Sequence, residues 1–549
     1  MFKRHRLAGA LLALALLVGV ASVGTGSAST GDSSRYLVVF AGDYAVDGTY
    51  AVGSTYAVLC SYAVDSTYAV GDEYAVGCDY AVGDDYAVED EYAVGDDYAV
   101  GGTYAVGEAY AVYAVAHEYA VSLVESAGGS VVSDLFGQIG VLVVESPTAT
   151  FADLMRTYAV VDEVGSDFGV KSVPGREDGP GGGGPEASED LTENQQWGMR
   201  MIQAPEAHAV EAGWRAVDVG ILDTGIDGLH LDFDDDGLPG GSTNVDCYRG
   251  RNSIRFLPSG PGVGVLDPCV DNAFHGTHVA GIVAAQANGV GVVGVAPNVT
   301  LVPIKVCDSS GFCYAHAVVD GITYAGDQKL DVINMSFFVD DDEFQSSTEF
   351  KCLDDPTQSA FRKSVERALQ YARKQGVAPV AALGNSDADL ANPPSGNGCE
   401  VVPAESPGVI GTTALGNAKE KASYSNYGTG EADVAAPGGT STGDPQTGIW
   451  STLPGNTYGA ISGTSMASPH AAGVAALIVS RYGVLGSNGD VKLSPDSVQS
   501  RLEKSTIDQG LKGNDECFGH GRINAFRAVT GSLTKVYDAS APFCPEYTE

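Results

Sequence analysis

The sequence predicts an α/β protein with a doubly wound, mostly parallel sheet, preceded by a small α+β unit of the ferredoxin-like type. In the second half of the chain, apolar runs of four to seven residues alternate with helical segments. Such continuous runs are typical of parallel strands that are buried on both faces. Before residue 173 the order of predicted elements is β-α-β-β-α-β instead. The runs of the main sheet span residues 216–222, 300–306, 332–335, 377–383 and 409–413.

The first 28 residues predict a secretory signal. A basic start at Lys3–Arg6 precedes an apolar run over 7–20, and small residues up to Ala28 offer a cleavage site. The run is shorter than the ~20 residues of a membrane span, so an uncleaved anchor helix is the weaker alternative. We therefore expect a secreted, extracellular protein with no membrane association after signal removal.

Residues 42–112 repeat a Tyr-Ala-Val triplet, whose tyrosines recur every six residues from Tyr44 to Tyr110. Six is a multiple of the strand period of two, so a short-period β-solenoid is one interpretation. No Lys or Arg lies between Arg35 and Arg156, so this acidic stretch would repel itself. The favoured interpretation is therefore a low-complexity, solvated insert.

Predicted elements on both sides of the insert form one small unit over 29–173. They are a strand at 35–40, a helix at 117–126, strands at 130–133 and 139–145, a helix at 148–158 and a strand at 160–164. A Gly- and Pro-rich acidic linker follows at 174–192, where we expect exposure and cleavage. The main domain then covers 193–530, and 531–549 form a C-terminal tail.

The charge balance excludes two classes of partner. The 549 residues include 30 Lys and Arg against 70 Asp and Glu, which gives a formal net charge of −40. Nucleic acids and anionic membranes are polyanions, so neither is expected to bind. A monomer is expected.

Cysteine usage agrees with export. Ten cysteines are present, no two of them form a CxxC pair, and an even number in an oxidising compartment favours disulfides over zinc. We expect nearest-neighbour pairing downstream of residue 240, with Cys307–Cys313 as the best supported pair, although eight cysteines leave other connectivities open. The eight candidates are Cys247, Cys269, Cys307, Cys313, Cys352, Cys399, Cys517 and Cys544.

Three motifs follow strands or open helices, where side chains can converge. Asp223 ends a predicted strand, His275 opens a helix, and Ser465 opens another. A serine hydroxyl is a poor nucleophile unless a base takes its proton and a third group orients that base. Ser465 at a helix N-terminus would also lie near backbone N–H groups that can stabilise an oxyanion. These residue types predict an Asp-His-Ser catalytic triad.

The motifs resemble the signature blocks of the subtilisin-like serine proteases (subtilases, peptidase family S8). The matching blocks are DTGID at 223–227, HGTHVAG at 275–281 and GTSMASPHAAG at 463–473. The resemblance implies that Asp223 orients the imidazole, that His275 is the general base and acid, and that Ser465 attacks the scissile carbonyl. It also implies that Asn385 donates to the oxyanion and that the segment upstream of the linker is an inhibitory, chaperone-like propeptide of the I9 type.

The predicted substrate pocket departs from the family pattern. The family has Ser-Leu-Gly-Gly where this chain has Ser336, Phe337, Phe338 and Val339. The glycines would let substrate backbone pair with the edge of the cleft, whereas these bulky residues would narrow the pocket or shift the loop. Together with Gly384, which precedes Asn385, residues 336–338 are the expected substrate-binding residues.

Calcium is the expected metal, in a structural role, and no catalytic cofactor is expected. The acidic run from Asp232 to Gly237 resembles the start of a calcium loop, although a solvated acidic loop is an equally good interpretation. The family resemblance implies a site formed by Asp232, by Asn288 and by the carbonyl groups of a short loop. The implied carbonyl ligands are those of Gln286, Val290 and Val292, and Glu193 is the implied N-terminal ligand.

The sequence thus predicts a secreted serine endopeptidase that is made as a zymogen and removes its own propeptide. Its expected partners are protein or peptide substrates and its own propeptide. The alternative is a secreted structural or adhesive protein, whose function lies in the repeat and whose protease domain serves only maturation. An inactive scaffold is poorly supported because all four catalytic positions hold competent residues.

Overall fold

The computed structural model describes residues 34–41, 117–173, 191, 195–254, 267–338, 356–393, 400–486, 489–542 and 544. The predicted signal segment and the Tyr-Ala-Val insert lie outside the described residues. So do the linker apart from Leu191, and the single residues Glu193, Val339, Cys352 and Cys399.

Strands and helices alternate along the described part of the chain. The strands are β1 (Ser34–Phe40), β2 (Ser130–Leu135), β3 (Val141–Ser146), β4 (Val161–Ser166), β5 (Gly169–Lys171), β6 (Asp218–Asp223), β7 (Arg251–Asn252), β8 (Thr300–Lys305), β9 (Phe312–Tyr314), β10 (Val332–Met335), β11 (Ala378–Ala382), β12 (Ile410–Leu415), β13 (Val434–Pro437), β14 (Ile449–Leu453), β15 (Thr457–Ile461), β16 (Val484–Leu485), β17 (Val491–Lys492), β18 (Ile507–Asp508) and β19 (Val536–Tyr537). The helices are α1 (117–126), α2 (Phe136–Ile139), α3 (Phe151–Met155), α4 (Trp197–Met201), α5 (Ala204–His208), α6 (His275–Ala284), α7 (Ala315–Asp327), α8 (Pro356–Lys374), α9 (Thr464–Tyr482), α10 (Pro495–Ser505) and α11 (Ala525–Thr530), with a 3₁₀ turn at Leu231–Phe233.

A seven-stranded parallel sheet forms the centre of the main domain. Its strand order is β13-β12-β11-β10-β6-β8-β7, and every neighbouring pair is parallel. The five apolar runs coincide with β6, β8, β10, β11 and β12, so the predicted doubly wound parallel sheet is confirmed. Strands β7 and β13 were not among those runs.

The topology places the predicted catalytic residues at the carboxyl edge of this sheet. From β6 the chain builds outward on one side to β8 and then returns to add β10 on the other side. Such a reversal opens a crevice beyond the strand ends, where ligands of α/β sheets bind. Asp223 ends β6 at this crevice, and α9, which carries Ser465, packs against β10, β11 and β12.

A four-stranded antiparallel sheet forms a second unit, with the order β2-β3-β1-β4. Alternate side chains of β1 face opposite ways, and both sets are buried. Tyr36, Val38 and Phe40 pack with α1 and α3. Leu37 and Val39 instead pack with α7 and α8 of the main domain. This sheet is therefore covered on one face by its own helices and on the other by helices of the main domain.

Three disulfides join Cys247 to Cys269, Cys307 to Cys313, and Cys517 to Cys544. These are three of the four nearest-neighbour pairs expected from the sequence. The fourth expected pair lies outside the described residues. Within the described ranges, no helix is both long enough and apolar enough to cross a membrane.

Candidate active site

Asp223 and His275 lie in direct contact at the crevice. Asp223 is the last residue of β6 and His275 is the first of α6. His275 Nδ1 lies 2.9 Å from Asp223 Oδ1 and 3.0 Å from Oδ2. Both side chains are buried, so the carboxylate fixes the orientation of the ring. An imidazole that donates from Nδ1 keeps Nε2 as its proton acceptor.

This contact depends on a close approach between α6 and the end of β6. A Cβ atom on Gly276 would lie 2.1 Å from the Gly225 carbonyl oxygen and 3.1 Å from the Asp223 Cβ. No side chain fits there, so the glycine that follows His275 is a steric requirement.

Ser465 is the second residue of α9, and it is 5% exposed. Its hydroxyl donates to the Ser336 carbonyl at 3.0 Å. His275 Nε2 is a buried atom without a hydrogen-bond partner among the described residues. The structure therefore brings Ser336 and Ser465 together, while a hydrogen bond between the serine hydroxyl and the imidazole is not formed.

Asn385 lies exposed beyond the end of β11, and the start of α9 fixes its amide group. The amide oxygen accepts from the Thr464 N–H and from the Thr464 hydroxyl, both at 2.9 Å. The same hydroxyl accepts from the Gly384 N–H at 3.2 Å. Because the oxygen is held by α9, the NH₂ group is identified and remains able to donate. Gly384 has a φ of +111°, a conformation that favours glycine.

The predicted pocket residues follow β10. The Ser336 hydroxyl donates to the Ser465 carbonyl at 2.8 Å and lies 2.9 Å from the Ser468 hydroxyl. Phe337 is fully buried and Phe338 is 9% exposed, and both belong to the apolar cluster around α7 and α8. The bulk of both rings is thus accommodated within the protein interior.

Sequence and structure comparisons place this arrangement in a known family. The model of the Subtilase family, Peptidase_S8, matches residues 215–521. The chain belongs to the subtilase family. Subtilisin of Bacillus pumilus is 36% identical over 333 residues, which cover 61% of this chain and 98% of that protein. Subtilisin E of Bacillus subtilis strain 168 is 34% identical over 340 residues, which cover 62% of this chain and 72% of that protein.

A solved structure agrees at the level of the fold. The epidermin leader peptide processing serine protease of Staphylococcus aureus has a TM-score of 0.57 and 20% identity, and the match covers 76% of this chain and 96% of that one. Together with the family match, the subtilisin relatives identify this subtilase as a serine-type endopeptidase.

In this subtilase a segment of its own chain lies along an edge next to the crevice. Strand β5 pairs antiparallel with β9, and Val170 is opposite Cys313. The Ser172 N–H continues the pairing, since it donates to the Gly311 carbonyl at 3.1 Å. The edge is linked to the site because the Cys307 N–H donates to the Asp223 carbonyl at 3.2 Å. The Cys307–Cys313 disulfide closes this loop.

A buried contact anchors the residues that precede β5. His316 Nδ1 lies 2.7 Å from Asp167 Oδ2, and the His316 N–H donates to Asp167 Oδ1 at 3.0 Å. The carboxylate therefore holds both the backbone and the ring at the first turn of α7. Arg35 Nη1 of β1 lies 3.6 Å from the same Asp167 Oδ2.

The residues implied for calcium also come together, apart from Glu193, which lies outside the described residues. Asp232 Oδ2 accepts from the Val292 N–H at 2.9 Å, whereas Oδ1 is buried without a partner among the described residues. Burial raises the pKa of Asp232 to about 8. Asn288 is half-buried beside it, and the Gln286 N–H donates to the Asp232 carbonyl at 2.8 Å. No three His, Cys, Asp or Glu side chains cluster around a metal position within the described ranges.

Two further histidines near the site have structural surroundings. His278 Nε2 lies 3.0 Å from the Ile449 carbonyl oxygen, and burial lowers the pKa of His278 to about 3. His470 Nδ1 lies 2.8 Å from the Met466 carbonyl oxygen, and burial lowers its pKa to about 4. Both rings are therefore neutral donors to backbone carbonyl groups.

Sequence reasoning missed three residues that hold the site in place: Thr464, Lys305 and Asp271. Thr464 orients the Asn385 amide, and its place beside Ser465 was the available signal. Lys305 ends β8 and is fully buried, which a lysine in an apolar run could have indicated. Asp271 lies four residues before His275, and nothing in its local sequence marks it.

Proposed function

We propose that this subtilase is a secreted endopeptidase made as a zymogen, which cleaves peptide bonds through Asp223, His275 and Ser465 and removes its own N-terminal unit. The observation that carries the proposal is the buried contact between Asp223 and His275. A positioned carboxylate, an imidazole with a free acceptor nitrogen and a serine at a helix N-terminus are the parts that acyl transfer requires.

In the proposed reaction His275 acts first as base and then as acid. Nε2 takes the Ser465 proton as Oγ attacks the scissile carbonyl, and it later gives the proton to the leaving amine. Asp223 keeps the ring in the required tautomer and stabilises the imidazolium. Before attack, the Ser465 hydroxyl must release the Ser336 carbonyl to which it donates.

Charge on the substrate oxygen would be stabilised from two directions. The Asn385 NH₂ group is preorganised because Thr464 holds the amide oxygen. The first backbone N–H groups of α9 lie next to Ser465 and carry the positive end of the helix dipole. Donors that are already in place favour the transition state over the ground state, because no reorganisation is needed during the reaction.

Protein and peptide substrates are the proposed partners, and they would bind as extended strands. The edge strand β9 already pairs with a segment of the chain in an antiparallel arrangement. Backbone pairing of this kind accepts many sequences, with side-chain pockets adding selectivity. Ser336, Phe337 and Phe338 would form the neighbouring wall, and Gly384 would leave room beside Asn385.

The same pairing supports the zymogen proposal. Strand β5 directly follows the four-stranded unit and lies where a substrate strand would bind, so this unit would act as an intramolecular inhibitor. We place the propeptide at 29–173, cleavage within 174–192 and the mature domain at 193–530. The predicted signal at 1–28 supports export, and the Tyr-Ala-Val insert would be discarded with the propeptide.

The residues around Asp232 fit a structural calcium ion. Asp232 Oδ1 is buried without a partner among the described residues, and a cation would compensate its charge. At Gly291 a Cβ would lie 2.5 Å from Asp232 Oδ2, so the loop leaves no room for a side chain. Asp232, Asn288 and the carbonyl groups of Gln286, Val290 and Val292 would hold the ion, and Glu193 is proposed from the sequence alone. Calcium would stabilise the loop and has no proposed role in the chemistry.

Intact mass and N-terminal sequencing of the secreted chain test this proposal, with Ser465→Ala beside it. The matched control is Ser468→Ala, which removes a buried hydroxyl one turn further along α9. Wild type and control should begin within 174–195, whereas Ser465→Ala should keep its N-terminal unit. Identical processing of all three would show that another protease does the cutting and would refute self-activation.

The competing proposal, a structural or adhesive repeat protein, is separated by the same measurement. A repeat that is absent from the mature secreted form cannot be the effector. Retention of the Tyr-Ala-Val insert in the wild-type form would favour the structural role instead.

A further inference from the structure

A buried carboxylate outside the proposed triad joins the elements that carry Asp223 and His275. Asp271 lies in the turn before α6 and is 6% exposed. Its Oδ1 accepts from the Thr224 hydroxyl at 2.9 Å. Its Oδ2 accepts from the Thr277 N–H at 2.9 Å and from the Thr277 hydroxyl at 2.7 Å. Thr224 directly follows Asp223, and Thr277 is the third residue of the helix that His275 begins.

A second link between these two elements runs through Thr224. The Gly276 N–H donates to the Thr224 hydroxyl oxygen at 3.0 Å, while that hydroxyl donates to Asp271. The Ala273 N–H also donates to Asp271, at 3.0 Å. Asp271 therefore accepts four hydrogen bonds, all from N–H or O–H groups, which is the pattern of an ionised carboxylate.

A buried cation balances this charge. Lys305 is fully buried and lies in register beside Asp223 on the neighbouring strand. Its ammonium group donates to the Thr224 carbonyl at 2.6 Å and to the Val270 carbonyl at 3.1 Å. Burial lowers the pKa of Lys305, and the negative charge of Asp271 is the strongest influence that opposes this. Burial likewise raises the pKa of Asp271, and the charge of Lys305 opposes that rise.

We infer that Asp271 is a positioning residue for proteolysis, which acts through Thr224 and Thr277 to fix the Asp223 carboxylate against the His275 imidazole. The charge of Lys305 opposes the rise in the pKa of Asp271 and so favours the ionised form of this second buried carboxylate. The inference rests on the proposed triad, and Asp271 itself is not proposed to touch substrate.

The charges around Asp271 determine what its loss should do. Lys305 and Asp223 face Asp271, and Asp267 and Asp308 also face Lys305. Asp271→Asn removes one negative charge from this group. It also replaces one accepting oxygen with an NH₂ group, which cannot accept from the N–H and O–H donors that face it. Protonation of the general base then becomes less favourable, so the acidic limb of the pH profile should move to lower pH.

The test compares Asp271→Asn with Asp267→Asn in the processed enzyme. Asp267 is also an acid near Lys305, but its carboxylate accepts from the Cys269 N–H at 2.9 Å and does not bond to either threonine. Active sites are titrated with a fluorophosphonate, and kcat and KM are measured per titrated site on a short peptide. For Asp271→Asn we expect kcat to fall about tenfold or more, as a small misplacement of catalytic groups does, with KM within about twofold. Asp267→Asn should match wild type.

A purely structural role predicts something different. It would lower the number of titrated sites, while each remaining site kept the wild-type kcat and pH profile, and that result would overturn the inference. If Asp271→Asn yields no processed enzyme, Thr277→Val and Thr277→Ser replace it. Loss of kcat with valine and its rescue by serine support the inference, and equal kcat for both overturns it. Activity remaining in Ser465→Ala would instead refute the triad itself.

Discussion

The two sheets of this subtilase differ in what covers them. The seven-stranded parallel sheet has both faces covered by helices of its own domain, including α6, α9 and α11 in one cluster and α7 and α8 in another. The four-stranded antiparallel sheet has one face covered by α1 and α3 and the other by α7 and α8. The main domain thus buries both faces of its sheet with its own helices. The smaller unit buries one face of its sheet only against α7 and α8 of the main domain.

The contacts that hold the proposed catalytic residues differ in kind from those that hold the smaller unit. The proposed catalytic residues are held by hydrogen bonds within the main domain. The smaller unit adds ion pairs at its rim, where Lys363 of α8 lies 2.9 Å from Asp162 and 3.0 Å from Glu163. Arg367 lies 3.3 Å from Asp162. The smaller unit is therefore held by an apolar face that packs on α7 and α8 and by ion pairs around that face.

The largest expected effect concerns the hydrogen bonds inside the main domain. Asn385→Ala should lower kcat by about 10²–10³-fold, the loss that removal of such a donor causes in subtilisin. KM and the docking of the four-stranded unit should stay unchanged, because Asn385 bonds to α9. Steady-state kinetics on a peptide substrate measures the loss.

Thr464 supplies the control for that prediction. Thr464→Ser keeps the hydroxyl that holds the Asn385 amide oxygen and should retain most of kcat, whereas Thr464→Val should lose a part of it. Equal kcat for the two variants would mean that the amide is oriented by other contacts.

The next effect concerns the charged rim. In the double variant Lys363→Glu and Arg367→Glu, two attractions to the smaller unit become repulsions. We expect this unit to leave the enzyme about 100-fold faster after processing, since like charges in contact cost several kcal/mol. The rate at which activity appears after processing measures release, and kcat of the free enzyme should not change.

Arg362→Glu is the matched control on the same helix. Arg362 pairs with Glu366 and Glu400 of the main domain rather than with the smaller unit. Its reversal should leave the release rate at the wild-type value. Faster release in this variant would point to a general weakening of α8.

Calcium should stabilise the main domain at Asp232, where the contacts of the protein itself are incomplete. Asp232 keeps one buried carboxylate oxygen without a partner in the described part of the chain. Chelation by EGTA should therefore lower Tm of the mature enzyme by several degrees, as removal of a ligand that binds only the folded state does. Asp232→Asn should have a lower Tm with calcium present and little further response to EGTA. An unchanged wild-type Tm would contradict the proposed site.

The sequence predicted the main sheet well because its strands are buried on both faces, and an apolar run such as 216–222 carries that information by itself. Strand β1 was found for the same reason, since both sets of its alternate side chains are buried. The run could not reveal that the two faces meet different partners, because burial by α1 and burial by α8 leave the same signal in the sequence.

The residues of the candidate site also fall into those that the sequence predicts and those that it does not. Asp223, His275 and Ser465 were recognisable because each stands in a distinctive motif. Asp271 and Lys305 act through contacts between distant parts of the chain, and the Asp271–Thr224 hydrogen bond joins residues 47 positions apart. The local spacing of residues in the sequence does not predict such a contact. The rotamer of Ser465, which bonds to Ser336, is equally outside what a motif can specify.

The smallest expected effect is a response to salt. Its sign shows whether the ion pairs of the rim or the apolar face dominates the release of the smaller unit. Raising NaCl from about 0.1 M to about 1 M shortens the screening length from about 10 Å to about 3 Å. In the wild type this weakens the rim ion pairs, so release of the smaller unit should become a few-fold faster. In the Lys363→Glu and Arg367→Glu variant the same salt screens repulsion, so release should become slower. Slower release in both proteins would mean that the apolar face, which high salt strengthens, outweighs the charged rim.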